Sequence, residues 1–157
     1  MKIKLIVVGK TNAKYLLEGE REYENRLKHY TKFEEIIIPD VKQSGKLSEN
    51  ELKKKEGHLI LGKLESSDHV ILLDDKGKSY SSVEFANFLQ QKMNSGLKSF
   101  VFVVGGAFGF SDEVYLRANT KLSLSKMTFS HQMVRLIFKE QLYRGFSILR
   151  GEKYHHE

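Results

Sequence analysis

The stretch FVFVVGGAFGF, residues 100–110, decides the fold class. Its first half, 100–104, is a run of aromatic and β-branched residues with no polar member, the composition of a strand buried on both faces. A glycine-rich turn follows at once, with Gly105, Gly106 and Gly109. Glycine allows backbone to approach a ligand closely because no Cβ intervenes. In open α/β sheets ligands also sit beyond the C-terminal ends of the strands. The first apolar run, 3–8, ends instead in Gly9-Lys10-Thr11-Asn12, without the G-x-G-x-x-G spacing of a dinucleotide fold. The reading is an α/β enzyme whose ligand pocket is built late in the chain.

Working outward, five apolar runs punctuate the sequence, at 3–8, 33–38, 70–73, 100–104 and 122–124. Helical patterns lie between them. Within 13–30, Leu16, Tyr23, Leu27 and Tyr30 share one face of a 3.6-residue period. Ser48 with Glu51 reads as a capping box opening a helix that runs to about residue 64. Ser82 and Glu84 open a third helix, Ser111-Asp112-Glu113 a short fourth, and 131–149 forms the longest, interrupted near its end by Gly145. Strands alternating with helices predict a mostly parallel sheet covered on both faces. Residues 41–47 are the one polar loop of any length, and no linker divides the chain, so 1–157 is expected to be a single domain.

Composition narrows the chemistry. There are no cysteines, which excludes disulfides, thiolate metal sites and cysteine nucleophiles. No metal site is expected. The apolar start of the chain is too short for a signal peptide and lacks a small-residue cleavage site. With no apolar stretch of membrane-spanning length, a cytoplasmic location is expected. The formal charge is +6, and +4 of it falls in residues 121–157, where seven basic groups face Glu140, Glu152 and Glu157. A basic rim beside the pocket suits a polyanion such as RNA; a solvated basic helix face is the plain alternative. The last helix carries an apolar arc wider than one core-facing stripe needs, running from Met133 to Leu149. Either both sides pack within one chain or one side meets a second subunit.

Several segments together carry a specific resemblance: MKIKLIVVGK at the start, VILLDDKGK at 70–78, the 100–110 stretch, and LSLSKMTFSHQMVRLIFKEQLYRGFSILRGEKYHHE at 122–157. In these the chain resembles the ribosomal RNA large subunit methyltransferase H family, of the SPOUT class. The resemblance implies a C-terminal trefoil knot, a homodimer, and S-adenosylmethionine bound by three loops. It maps the donor site onto Leu73, Gly105 and the run Leu124, Ser125, Lys126, Met127, Thr128 and Phe129. The implied reaction is methylation of N3 of a pseudouridine in 23S ribosomal RNA, with RNA rather than DNA as the partner and no membrane involved. Ser130 stands where the family commonly has proline.

Each mapped residue also has a plain reading: Leu73 and Leu124 as strand-end core, Met127 as gap-filler, Ser125 and Thr128 as turn residues. Methyl transfer from a sulfonium asks the enzyme to align the reactants and to favour loss of the ring N–H proton. Arg144, Tyr154 and His155 are the expected catalytic residues, because a tail has little reason to keep such groups unless it folds over a site. His131 and Arg135 are next in line, and no single residue is assigned as the base. The alternative is a non-enzymatic RNA- or ribosome-binding module of the same fold; a methyltransferase for small molecules or proteins is a third reading.

Overall fold

The computed structural model describes residues 1–156; Glu157, the last residue of the expected domain, lies outside them. Five strands, β1 (Lys2–Val8), β2 (Lys32–Ile38), β3 (His69–Ser79), β4 (Ser99–Val104) and β5 (Thr120–Ser123), form one sheet in the order β2-β1-β4-β3-β5. Every pairing is parallel. Five helices alternate with them: α1 (Lys14–Leu27), α2 (Glu49–Leu61), α3 (Ser82–Asn94), α4 (Asp112–Arg117) and α5 (Met133–Leu149).

Alternation along the central strands sorts the core into two layers, because successive side chains leave a strand on opposite faces. Ile3, Leu5 and Val7 of β1 join Phe100 and Phe102 of β4 in packing against Leu27 of α1, Phe85 and Leu89 of α3, and Phe138, Leu142 and Phe146 of α5. Ile6, Val8, Val101 and Val103 leave the other face and meet Ile60 of α2 and Val114 of α4. Fully burying each such aliphatic or aromatic side chain stabilises the fold by about 1.5–3 kcal/mol. None of the described helices is long and apolar enough to cross a membrane.

Three local expectations need correction. Strand β3 does not stop at Leu73 but runs through the polar residues to Ser79, since a register shift between Leu73 and Lys78 lets it keep pairing with β5. Ser48 caps α2 by accepting from the Glu51 N–H at 3.2 Å, but the reciprocal capping box belongs to Ser81 and Glu84 at the start of α3. Helix α5 runs unbroken through Gly145. A Cβ there would stand 2.9 Å from Leu89 Cδ1, so the glycine serves close packing on α3 and does not interrupt the helix.

All five strands point the same way, so their C-terminal ends share one edge of the sheet. The turns after β1, β4 and β5 meet there, and α5 begins beside them.

Candidate active site

A cavity of roughly 550 Å³ opens at that edge, over the ends of β4 and β5 and the middle of β3. The middle of β3 contributes Leu73 to Lys76, where its register shifts, the turn after β4 contributes Gly105 to Phe110, and the turn after β5 contributes Leu124, Ser125 and Met127 to His131. Val134 of α5 and Tyr115 of α4 complete the wall. Three segments distant in sequence, one within β3 and two in turns, therefore converge on one space. Of the residues expected to hold a methyl donor, Leu73, Gly105, Leu124, Ser125, Met127, Thr128 and Phe129 all line it. Lys126 does not; it is exposed beside the cavity.

The glycines of the turn after β4 also pack closely on their own chain. A Cβ on Gly105 would come within 3.1 Å of the Phe110 ring and 3.2 Å of the Gly109 carbonyl oxygen. One on Gly106 would lie 2.5 Å from a carboxylate oxygen of Glu56, itself buried. A side chain at either position would have to displace these neighbours, so the two glycines let the loop pack closely on its own chain.

Charged groups on the rim were not read from the sequence. Asp74 lines the cavity, accepts the Tyr115 hydroxyl and accepts the Lys76 N–H at 2.9 Å. Burial alone would push the Asp74 carboxyl up, yet these hydrogen bonds outweigh it and hold the group below its ordinary value. Burial and the Asp74 carboxylate together push the Tyr115 phenol well above the usual tyrosine range. The signal was present in LLDD, where two acids follow a buried strand, but their pairing with α4 was not. Among the described residues, no group of three or more His, Asp or Glu is placed to hold a metal ion.

The turn after β5 is fastened from behind. Ser123 donates to the Ser125 carbonyl at 2.9 Å, and the Ser125 hydroxyl accepts from the Met127 N–H at 2.9 Å. Ser130 accepts from the Met133 N–H at 3.1 Å, opening α5. Buried Arg135 donates to the His131 carbonyl at 3.1 Å, to the carbonyls of Val8 and Gly9 at 2.6 and 2.8 Å, and to Thr11 at 3.2 Å. Every nitrogen of its guanidinium is committed inside the chain, which removes Arg135 from the list of groups that could meet a substrate.

The expected basic rim is smaller than the sequence count implies. Lys139, another of the seven basic residues of 121–157, is fully buried among Glu20, Glu24 and Glu35 at 2.8, 2.6 and 2.5 Å. Much of that local charge excess is spent on internal contacts. Lys121, Lys126, Arg150 and Lys153 are its exposed members.

Arg144, Tyr154 and His155 do come together, but away from the cavity. The Arg144 guanidinium lies 4.7 Å from the Tyr154 ring centroid and 3.3 Å from His155 Nδ1. Tyr154 packs edge-on against Tyr143, with centroids 4.6 Å apart, and Arg26 lies over Tyr23, Tyr143 and Tyr154 at 5.2, 5.3 and 5.9 Å. Glu140, Tyr23 and Arg26 belong to this cluster and were not read from the sequence. Arg144 stands ten residues beyond Val134 on α5, which at 1.5 Å per residue is roughly 15 Å of helix axis. The tail cluster and the cavity of one chain are thus separate places.

Comparison with known proteins places the chain. The family model described as "Predicted SPOUT methyltransferase" matches residues 1–155. The ribosomal RNA large subunit methyltransferase H of Christiangramia forsetii is 57% identical over 156 residues, covering 99% of both chains. The proteins of that name from Parabacteroides distasonis and Flavobacterium johnsoniae are 56% and 58% identical over 157 residues, covering 100% of both chains in each case.

Proposed function

The chain belongs to the SPOUT methyltransferase family, and we propose that it transfers a methyl group from S-adenosylmethionine to N3 of a pseudouridine in 23S ribosomal RNA. One observation carries the reading: three segments distant in sequence line a single cavity at the C-terminal edge of the sheet. Its size falls in the range of small-molecule sites, and its wall mixes apolar and polar groups as such sites do. Leu73, Leu124, Phe129 and Val134 offer apolar surface to a nucleobase, while Ser125, Thr128, Asp74 and the peptide groups of the loops supply polar contacts. Bound there, S-adenosylmethionine would supply an activated methyl group on a sulfonium. The named residues hold and orient it, and the loops after β4 and β5 keep water from its apolar faces.

The target base is handled by Arg144, Tyr154 and His155, supplied by a second copy of the chain. The distance along α5 supports this, since a chain cannot bring its own tail cluster to its own cavity without unpacking the helix. A stripe on α5 supports it too. Met133, Ile137, Arg144 and Ile148 follow at intervals of four, seven and four, hence on one side of the helix, and all are only partly buried. Closed two-fold association is the commonest way to cover such a surface. The trefoil knot implied by the resemblance belongs to the same proposal. It is supported by the insertion of β3 between β4 and β5 and the return of α5 across the layer that holds α1 and α3.

Nucleoside mass analysis of 23S ribosomal RNA from a strain lacking the gene tests the substrate. Loss of one methylpseudouridine, restored by the gene, is expected. An unchanged modification profile would defeat the reading.

A further inference from the structure

The turn after β4 holds a side chain that its own fold does not use. The Gly109 N–H donates to the Gly106 carbonyl at 3.2 Å, and the two glycines bridge as an antiparallel pair. Ala107 and Phe108 are thus the two central residues of a tight turn. The turn sits closely on the chain: a Cβ on Gly106 would meet Glu56, one on Gly105 would meet Phe110, and Gly109 takes a φ of +85°. Turn centres favour residues that relax the backbone or hydrogen-bond to it, and a phenyl ring does neither. Phe108 nonetheless stands 47% exposed at the mouth of the cavity. It belongs to neither core layer, and among the described residues it pairs with no ring and no cation. Two aromatic neighbours in the wall differ. Phe110 is buried and packs edge-on against Tyr115 at 5.7 Å, while Tyr115 is held by Asp74 and carries Lys121 over its ring at 5.5 Å. The turn after β5 adds Met127 to the same wall, 77% exposed and so not the core gap-filler its residue type allows.

We propose that Phe108 is a stacking platform for an unpaired nucleobase next to the target pseudouridine. The inference rests on the RNA methyltransferase reading above and deepens it by naming what the rim recognises. A ring that receives a methyl group in the cavity must enter through its mouth. The nucleotides joined to it then lie over the rim, where Phe108 presents its ring. Every base has a π-face, and stacking on an exposed aromatic needs no particular hydrogen-bonding edge. Charge selects RNA over a second copy of the chain as the occupant. A recess of roughly 320 Å³ shares Asp74, Lys76 and Tyr115 with the cavity and adds Lys121. Lys76 and Lys121 are exposed there and Lys126 is exposed beside the cavity, whereas Asp75 is the one exposed acid in either wall among the described residues. These lysines suit the phosphates of the strand. The tail of a second copy brings exposed Arg150 and Lys153, of like charge, which a polyanion between the two surfaces would neutralise.

The test uses the full-length protein and ribosomes from a strain lacking the gene, with initial methyl transfer measured against ribosome concentration. Phe108→Ala should lose between about fivefold and about a hundredfold in kcat/KM, the range for removing one base–aromatic stack. The loss should fall on KM, because the flanking base is held equally before and during methyl transfer. Phe108→Trp should stay within about threefold of wild type. Phe108→Leu keeps apolar area without a π-face and should fall with the Ala variant. Wild-type transfer in Phe108→Leu would show plain apolar cover and overturn the platform, as would wild-type transfer in Phe108→Ala. Calorimetric titration should give one S-adenosylmethionine affinity for all four proteins; a parallel loss of affinity would make Phe108 part of the donor wall and overturn the proposal. Light scattering should find Phe108→Ala in the same oligomeric state as wild type. Dissociation would assign the ring to a partner chain and overturn it too. If wild type itself methylates none of these ribosomes, the underlying reading falls and this inference with it, a result seen before any variant is compared.

Discussion

Arg135 donates from Nη1 to the carbonyl oxygen of Gly9 at 2.8 Å, a buried hydrogen bond between residues 126 apart in the chain. The same side chain holds Val8 and His131, so it ties the end of β1 to the loop that lines the cavity. Burial lowers its tendency to stay protonated, while Glu20, Glu35 and Asp40 oppose that from a distance. No carboxylate among the described residues forms a salt bridge with it; backbone carbonyls take the place of water around the guanidinium.

Arg135→Met should therefore strand three carbonyls without their partner and cost more than about 3 kcal/mol of stability, measured by urea unfolding. Arg135→Lys should recover part of the loss. At temperatures where Arg135→Met stays folded, its S-adenosylmethionine affinity should fall as the loop loosens. A variant with wild-type stability and affinity would show that the loops are held by other contacts.

The Lys139 cluster makes an opposite pair of predictions. Burial disfavours the Lys139 cation, yet Glu35, Glu20 and Glu24 outweigh it and hold the amine above its ordinary value. Lys139→Ala leaves three carboxylates around a buried void and is expected to destabilise by about 3–5 kcal/mol. Glu35 differs, because burial raises its carboxyl above 4.5 despite the pull of Lys139. A raised folded-state value stabilises most below the unfolded value and loses that contribution as pH rises through the folded one. At neutral pH Glu35→Gln should consequently be as stable as wild type or more so, its advantage vanishing toward pH 4 or so. Thermal melts across pH read both, and a Glu35→Gln protein less stable at neutral pH would contradict this account.

In the cavity, Leu73→Ala removes apolar surface from the wall and should weaken S-adenosylmethionine binding by roughly tenfold in calorimetric titration. Lys126→Ala should leave that affinity unchanged, because the side chain is outside the cavity, while reducing the salt dependence of RNA binding by about one phosphate contact. A Lys126 variant that loses the donor, or a Leu73 variant that keeps it fully, would move the site. Gly105→Val is a poor probe, since its side chain would strike Phe110 and Gly109 and reshape the loop itself.

A site shared between two chains predicts complementation. Leu73→Asp and Arg144→Ala proteins should each be inactive, and dissociated mixtures allowed to reassociate should recover up to about a quarter of wild-type activity. That figure follows if half the dimers are mixed and each holds one intact site. Protein truncated after Gly151 should bind S-adenosylmethionine without transferring methyl groups. Mixtures that stay inactive, together with monomeric light scattering, would place the whole site within one chain.

What could be read in the sequence was what depends on neighbours along the chain. The run at 100–104 is a central strand because nothing polar interrupts it, and the serine caps at Ser48 and Ser111 mark helix starts because their hydroxyls reach N–H groups three residues on. The extension of β3 through DDKGKS was hidden, since polar residues become strand only by pairing with β5 across the register shift. The cavity residues expected to hold a donor came from motif resemblance. Their companions Asp74 and Tyr115 could not, because 41 positions separate them and only the packing of α4 makes them partners.

The sequence by itself determined the strand and helix order and the family, and it pointed to most of the residues that line the cavity, because periodicity, caps and motifs are local properties. Tertiary structure alone decided the fate of the charges. Arg135 and Lys139 look on paper like members of a basic surface, but each is sealed inside by partners more than a hundred positions away. It also decided that Arg144, Tyr154 and His155 form one cluster at a distance from the cavity, since the span of a rigid helix, not the order of residues, sets how far apart its two ends stand.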